Sequence, residues 1–208
     1  AAFIVPLVLF AFLLKLIPAI TRGVVGSDRA NLAAVFLLFA PVVLFNFSPG
    51  RVDHHAYQIL IAGFGLYSLE RIARDADGWR IAILSAVFFA CGLWIGAEAL
   101  PWLAVFVLCL GLIASWQGGF VLRNAAVFGV ALTAATTTVL PMALKPADFL
   151  RLDVSWFSLA YVIFAGLIAA MFVLAWLLGR LTDSRFLRMT LTASLGVVAA
   201  LLVVYCVP

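Results

Sequence analysis

The sequence predicts an all-α, polytopic transmembrane helix bundle of about eight spans, and three observations predict it. Of 208 residues, 67% are hydrophobic and 11% charged, with a mean hydropathy of +1.24, whereas soluble domains carry about 25% charged residues. The apolar residues fall into runs near the ~20 residues that a spanning helix needs. The runs are continuous rather than alternating, and in lipid only helices or closed barrels satisfy every backbone N–H and C=O. One helical domain over residues 1–208 is expected, with no soluble domain, low-complexity linker or internal repeat.

The first predicted helix covers residues 2–20 and carries one charge, Lys15, whose long side chain can reach the headgroups. After a loop over 21–29, Ser27 or Asp28 is placed to cap a second helix over 30–47, which stops at Ser48-Pro-Gly50. A third helix begins at or just after Asp53, runs to about residue 73 and leads into a charged connector over 70–80. The fourth covers 81–97, turns through Glu98-Ala-Leu-Pro101 and returns as a fifth that ends at Trp116. Gln117-Gly-Gly119 breaks the run, and a sixth helix covers 121–144. The connector over 145–153 precedes a seventh helix over 156–178, a basic loop over 179–188 and an eighth helix over 189–207.

The chain starts inside an apolar run with no basic segment and cleavage site ahead of it, so no signal peptide is expected and the sequence reads as an excerpt of a longer chain. A net charge of +4 would suggest nucleic acid in a soluble protein. Here the basic residues lie between apolar runs, where they set membrane orientation, and nucleic acid is excluded as a partner. Cys91, Cys109 and Cys206 lie in apolar stretches without pairing or metal-type spacing and read as small hydrophobes in lipid.

Eight crossings put successive loops on alternate sides. One side then holds nine basic residues, Arg22, Arg29, Arg71, Arg74, Arg80, Arg123, Arg180, Arg185 and Arg188, and the other holds three, Arg51, Lys145 and Arg151. The positive-inside bias puts the second group, with Glu98 and both chain ends, on the extracytoplasmic side.

The polar island Ser48-Pro-Gly-Arg-Val-Asp-His-His-Ala-Tyr-Gln58 lies on that side and holds both histidines of the chain. A carboxylate at 53 and an imidazole at 55 can converge on a divalent cation, the carboxylate suiting Mg²⁺ or Mn²⁺ and the imidazole favouring Mn²⁺. A helix start also favours phosphate, with Arg51 as a clamp. The ingredients fit a lipid-linked phosphate or diphosphate. They fit equally a plain N-cap at Asp53 with two interfacial histidines.

The segment Gly50-Arg-Val-Asp-His-His-Ala-Tyr-Gln-Ile-Leu60 resembles the second short acidic motif of oligosaccharyltransferase catalytic subunits and their bacterial and archaeal relatives in the GT-C glycosyltransferase superfamily. In that family a Gly-x-x-Asp-x-(Glu, Asp or His) segment lies in an external loop at the start of a transmembrane helix. It helps hold a catalytic divalent metal against a polyprenyl-diphosphate sugar donor. The resemblance implies Asp53 and His55 as catalytic metal ligands, with no assigned role for His54 or Gln58. It implies sugar transfer from a polyprenyl-phosphate or diphosphate carrier at the outer face of a bacterial or archaeal cytoplasmic membrane. The family's first Asp motif and its Trp-Trp-Asp-type acceptor domain do not occur in these residues, so the acceptor is unassigned.

Glu98, in a short external turn, reads either as a donor-binding or extra metal carboxylate or as a surface turn residue. Lys145 and Arg151 read as interfacial anchors, Thr133 and Thr136 to Thr138 as helix-packing hydroxyls, and Trp94, Trp102, Trp116 and Trp156 as an aromatic belt. A transporter or flippase using Asp53, His54 and His55 as an ion or proton site is the rival expectation. It calls for broken helices and mid-membrane polar groups, which the pattern lacks.

Overall fold

The computed structural model describes residues 4–50, 54–150, 152–153, 157–182 and 184–206. Among them the chain is entirely helical, without a strand. Among the described residues, five stretches are long and apolar enough to cross a membrane: Ile4–Gly23, Ala76–Ile95, Ala99–Gln117, Gly119–Ala143 and Leu159–Gly179. The protein is thus an α-helical chain with the composition and helix lengths of an integral membrane protein. Two compact units divide it, Ala1–Glu70 and Arg71–Pro208.

The first unit contains α1 (Ile4–Val25), α2 (Ser27–Leu37), α3 (Pro41–Asn46) and most of α4 (His54–Arg74). The helix expected over 30–47 is therefore not continuous. It breaks at residues 38–40, where Ala40 is extended (φ −92°, ψ 96°). Pro41 supplies the reason: its ring disfavours the helical region for the residue before it, and the missing N–H makes it a good first residue for a new helix. At 11 residues α2 is about 16 Å long, too short to cross alone. By contrast Pro18 and Pro141 lie inside unbroken α1 and α7.

Leu13 of α1, Phe47 after α3 and Ala56 of α4 form the buried centre of this unit, with the rings of Phe10 and Phe47 5.4 Å apart. Small residues set how closely α4 lies on α1: a Cβ built on Gly63 would stand 3.1 Å from Leu16 Cδ2. That contact fixes which face of α4 turns inward.

The second unit holds the end of α4, a 3-10 turn over Ala76–Gly78, α5 (Trp79–Ile95), α6 (Ala99–Gln117), α7 (Gly119–Ala143), α8 (Leu159–Gly179) and α9 (Arg185–Cys206). The helix bounds lie within a few residues of those expected from sequence. Helix α7 is the hub, packing on α5, α6 and α8, while α9 packs on α6 and α8. Phe89, Phe106 and Phe128, one each from α5, α6 and α7, interlock with centroids 4.8 to 6.2 Å apart. On the opposite side of α7, Gly129 lets the backbone of Ala169 approach so closely that a Cβ would fall 2.6 Å from its Cα. This is the small-residue packing of membrane helices, where apolar burial gives no drive and close van der Waals contact must.

The hydroxyls of Thr133, Thr136, Thr137 and Thr138 each donate to the carbonyl four residues earlier, at 2.7 to 3.0 Å. They satisfy themselves within α7. Ser158 caps α8: its Oγ accepts from the N–H groups of Ala160 (3.2 Å) and Asp153 (3.1 Å) and donates to the Asp153 carbonyl. Ser158→Ala is expected to lower stability by about 1 kcal/mol, the usual worth of such a cap, readable as a lower thermal midpoint in detergent.

Asn124 makes the most consequential polar contact. It is fully buried at the start of α7, and its Nδ2 donates to the carbonyls of Ile72 and Asp75, both at 3.2 Å. The neighbouring Arg123 Nη2 donates to the Ala76 carbonyl. Between them they reach the Ile72 carbonyl in the last turn of α4, which has no partner within the helix, and the carbonyls of Asp75 and Ala76 just after it. Gly78 is required at the same point, since a Cβ there would lie 2.9 Å from the backbone at Arg71 and Ile72. Asn124→Ala leaves the Ile72 carbonyl without its side-chain donor, while the Asp75 carbonyl keeps the Gly78 N–H at 2.9 Å, and should cost about 1–3 kcal/mol. A thermal midpoint equal to wild type would show the contact to be dispensable.

Candidate functional site

The polar island begins with the end of α3. Asn46 Nδ2 donates to the Val42 carbonyl at 2.9 Å, and Ser48 Oγ to that of Leu44 at 3.1 Å, closing off the helix end. Gly50 has φ +84°, a left-handed conformation that favours glycine and reverses the chain before α4. Arg51 and Asp53, two of the expected site residues, lie outside the described residues, as do Arg151 and Trp156.

The described part of α4 runs from His54, next to the start expected at or just after residue 53, which lies at the edge of the described residues. His54 and His55 occupy its first turn, both exposed, with ring centroids 4.4 Å apart. Their neighbours Ala56 and Gln58 are buried, at 1% and 4% exposure. The local reason is the sequence itself: Ala56 is small enough to sit against Leu13 and Phe47, which turns that face of α4 inward and leaves the imidazoles outside. Gln58, to which sequence reasoning gave no role, is the polar residue that the fold draws inward.

The arrangement offers two adjacent imidazoles at the positive end of a 21-residue helix. Imidazole nitrogen suits Zn²⁺, Cu²⁺, Fe²⁺ and Ni²⁺ and is tolerated by Mn²⁺ better than by Mg²⁺, so of the two expected cations the described rings fit Mn²⁺ better. A phosphate at the same helix end would meet N–H groups that have no helical acceptor.

Glu98 is an exposed residue of the second unit, in the turn between α5 and α6. It stands at the N-cap position of α6 in a helical conformation (φ −61°, ψ −15°), and its carboxylate does not cap that helix. Lys145 is exposed just before a 3-10 turn over Pro146–Asp148. Trp94, Trp102 and Trp116 lie exposed near the ends of α5 and α6.

Sequence reasoning did not single out Asn124 or Gly78. The partners of Asn124 lie about fifty residues away in the chain, and the close approach at Gly78 is to backbone of the preceding turn, which no spacing rule signals. The chain matches no protein-family model, and neither a curated protein nor a solved structure shows similarity to it.

Proposed function

We propose that the protein is the transmembrane part of a GT-C-type glycosyltransferase that moves a sugar or oligosaccharide from a polyprenyl-phosphate or diphosphate carrier at the extracytoplasmic face. The observation that carries the reading is the exposure of both imidazoles in the first described turn of α4, next in sequence to the Gly50-Arg-Val-Asp53 segment. That order of glycine turn, carboxylate, imidazole and helix start is what the family's metal motif uses.

In this reading Asp53 and His55 hold a divalent cation, Mn²⁺ or Mg²⁺, which when bound supplies charge neutralisation for the leaving phosphate. Arg51 grips a phosphate oxygen through its forked N–H groups. The first-turn N–H groups of α4 face the same negative charge and hold it without reorganising. The chain crosses the membrane eight times, with α2 and α3 together, α4 and α9 added to the five apolar spans. The basic ends then face the cytoplasm.

The test is turnover of a polyprenyl-diphosphate-linked sugar by the full-length protein in membranes, with Mn²⁺, with Mg²⁺ and with chelator. Activity restored by metal and indifferent to collapse of the proton gradient supports the transferase. Flux that follows the gradient and ignores chelator would assign the polar island to transport instead.

A further inference from the structure

We infer that the cleft between the first turn of α7 and the last turn of α8 is a binding site for the phosphodiester headgroup of an anionic phospholipid. The cleft has a volume of about 280 Å³ and is lined by Gly119, Phe120, Leu122, Arg123, Trp176 and Arg180. This lies at the small end of ligand sites, about 300–1,000 Å³, and suits a headgroup rather than a bulky substrate. The inference stands on the second unit alone and does not depend on the transferase reading.

Charge is the first argument. Two guanidinium groups face one cleft, and neither has an acidic partner among the described residues. Arg123 is oriented by its bond to the Ala76 carbonyl and a 3.4 Å contact with Asn124 Oδ1. Arg180 lies over the Trp176 ring, 4.7 Å from its centroid. Among the described residues both side chains are thus held in place without a neutralising carboxylate, the condition under which forked N–H groups recognise a phosphate. The backbone adds to it: α7 starts beside the same cleft behind Gly118 (φ +72°), which has no side chain to cap it, so the positive end of the helix dipole lies there.

Depth is the second argument. The apolar spans of α7 and α8 end at Gly119 and Gly179, so the cleft lies where hydrocarbon gives way to headgroups. Phe120, exposed, and Trp176 in the lining offer apolar surface there for acyl chains. A free anion would use the arginines and waste this surface, whereas a phospholipid uses both. Basic pockets between membrane helices at this level are recognised headgroup sites.

The site is tested with the intact protein in phosphatidylcholine nanodiscs, titrated with phosphatidylglycerol and, separately, with inorganic phosphate. Retained lipid is counted by native mass spectrometry and the thermal midpoint is followed. Phosphatidylglycerol is expected to bind saturably and to raise the midpoint, and Arg180→Gln to weaken binding about five- to tenfold. Arg185→Gln is the control. It removes a charge at the same end of the unit but outside the cleft, where Arg185 lies over Trp116, and it should leave binding within twofold of wild type. Equal losses in the two variants would reduce the effect to general surface attraction and overturn the site. So would unchanged binding in Arg180→Gln, or inorganic phosphate displacing the lipid at matched concentration.

Discussion

Replacing either Asp53 or His55 by alanine in the full-length protein is expected to cut sugar transfer by about 100-fold or more, the scale of losing one group that stabilises developing charge. The reason lies in how few ligands these residues contribute. A hard divalent cation at a membrane surface completes its shell with water and substrate phosphate, so each protein ligand carries a large share of the affinity. Mn²⁺ binding, followed by the loss of the free-ion electron paramagnetic resonance signal, should fall in parallel. His54→Ala is the informative comparison, because His54 is equally exposed on the same helical turn and has no assigned ligand role. Its transfer rate should stay within a few-fold of wild type. If Asp53→Ala and His55→Ala bind Mn²⁺ and turn over like the parent, the metal assignment is wrong. If the His54 variant loses as much as the His55 variant, the ligand is misassigned between the two rings.

The second large effect concerns the contact between α7 and α8. Gly129→Leu should destabilise the protein by about 1–3 kcal/mol, the cost of forcing volume into a packed site. The clash is with backbone, since even a bare Cβ would stand 2.6 Å from Ala169 Cα, and backbone has no rotamer by which to move aside. Gly166→Ala serves as the matched control on α8: a Cβ there meets nothing within 4 Å. It should leave stability unchanged or raise it by up to about 1 kcal/mol, because alanine is the better helix former. Thermal midpoints in one detergent decide the pair. If Gly129→Leu melts with Gly166→Ala, the close approach of the two helices does not hold the unit together.

Prolines mark how far local sequence reaches. Pro18, Pro41 and Pro141 all sit in apolar runs, yet only Pro41 coincides with a break, at the extended Ala40. A proline removes one hydrogen bond and restricts its predecessor wherever it occurs. Whether the helix bends through it or stops depends on what the neighbouring turns pack against. That information is spread over the chain and does not sit beside the proline.

Hydropathy and glycine placement were enough to determine the helical class, the long apolar spans and the break at Gln117-Gly-Gly119, and to bring the end of α5 within two residues of the expected 97. Lipid leaves the backbone no alternative partner, so a run of ~20 apolar residues has one solution. The start of α4 beside the polar island was legible for the same local reason, as a turn-forming glycine ahead of a new helical run. Tertiary structure alone decided the inward turn of Gln58, the tie from Asn124 to Ile72 across 52 residues and the gathering of Arg123, Trp176 and Arg180 around one cleft. Each depends on which helix faces meet. Between membrane helices that choice is made by the close fit of small residues such as Gly63, Gly78 and Gly129, which hydropathy does not register.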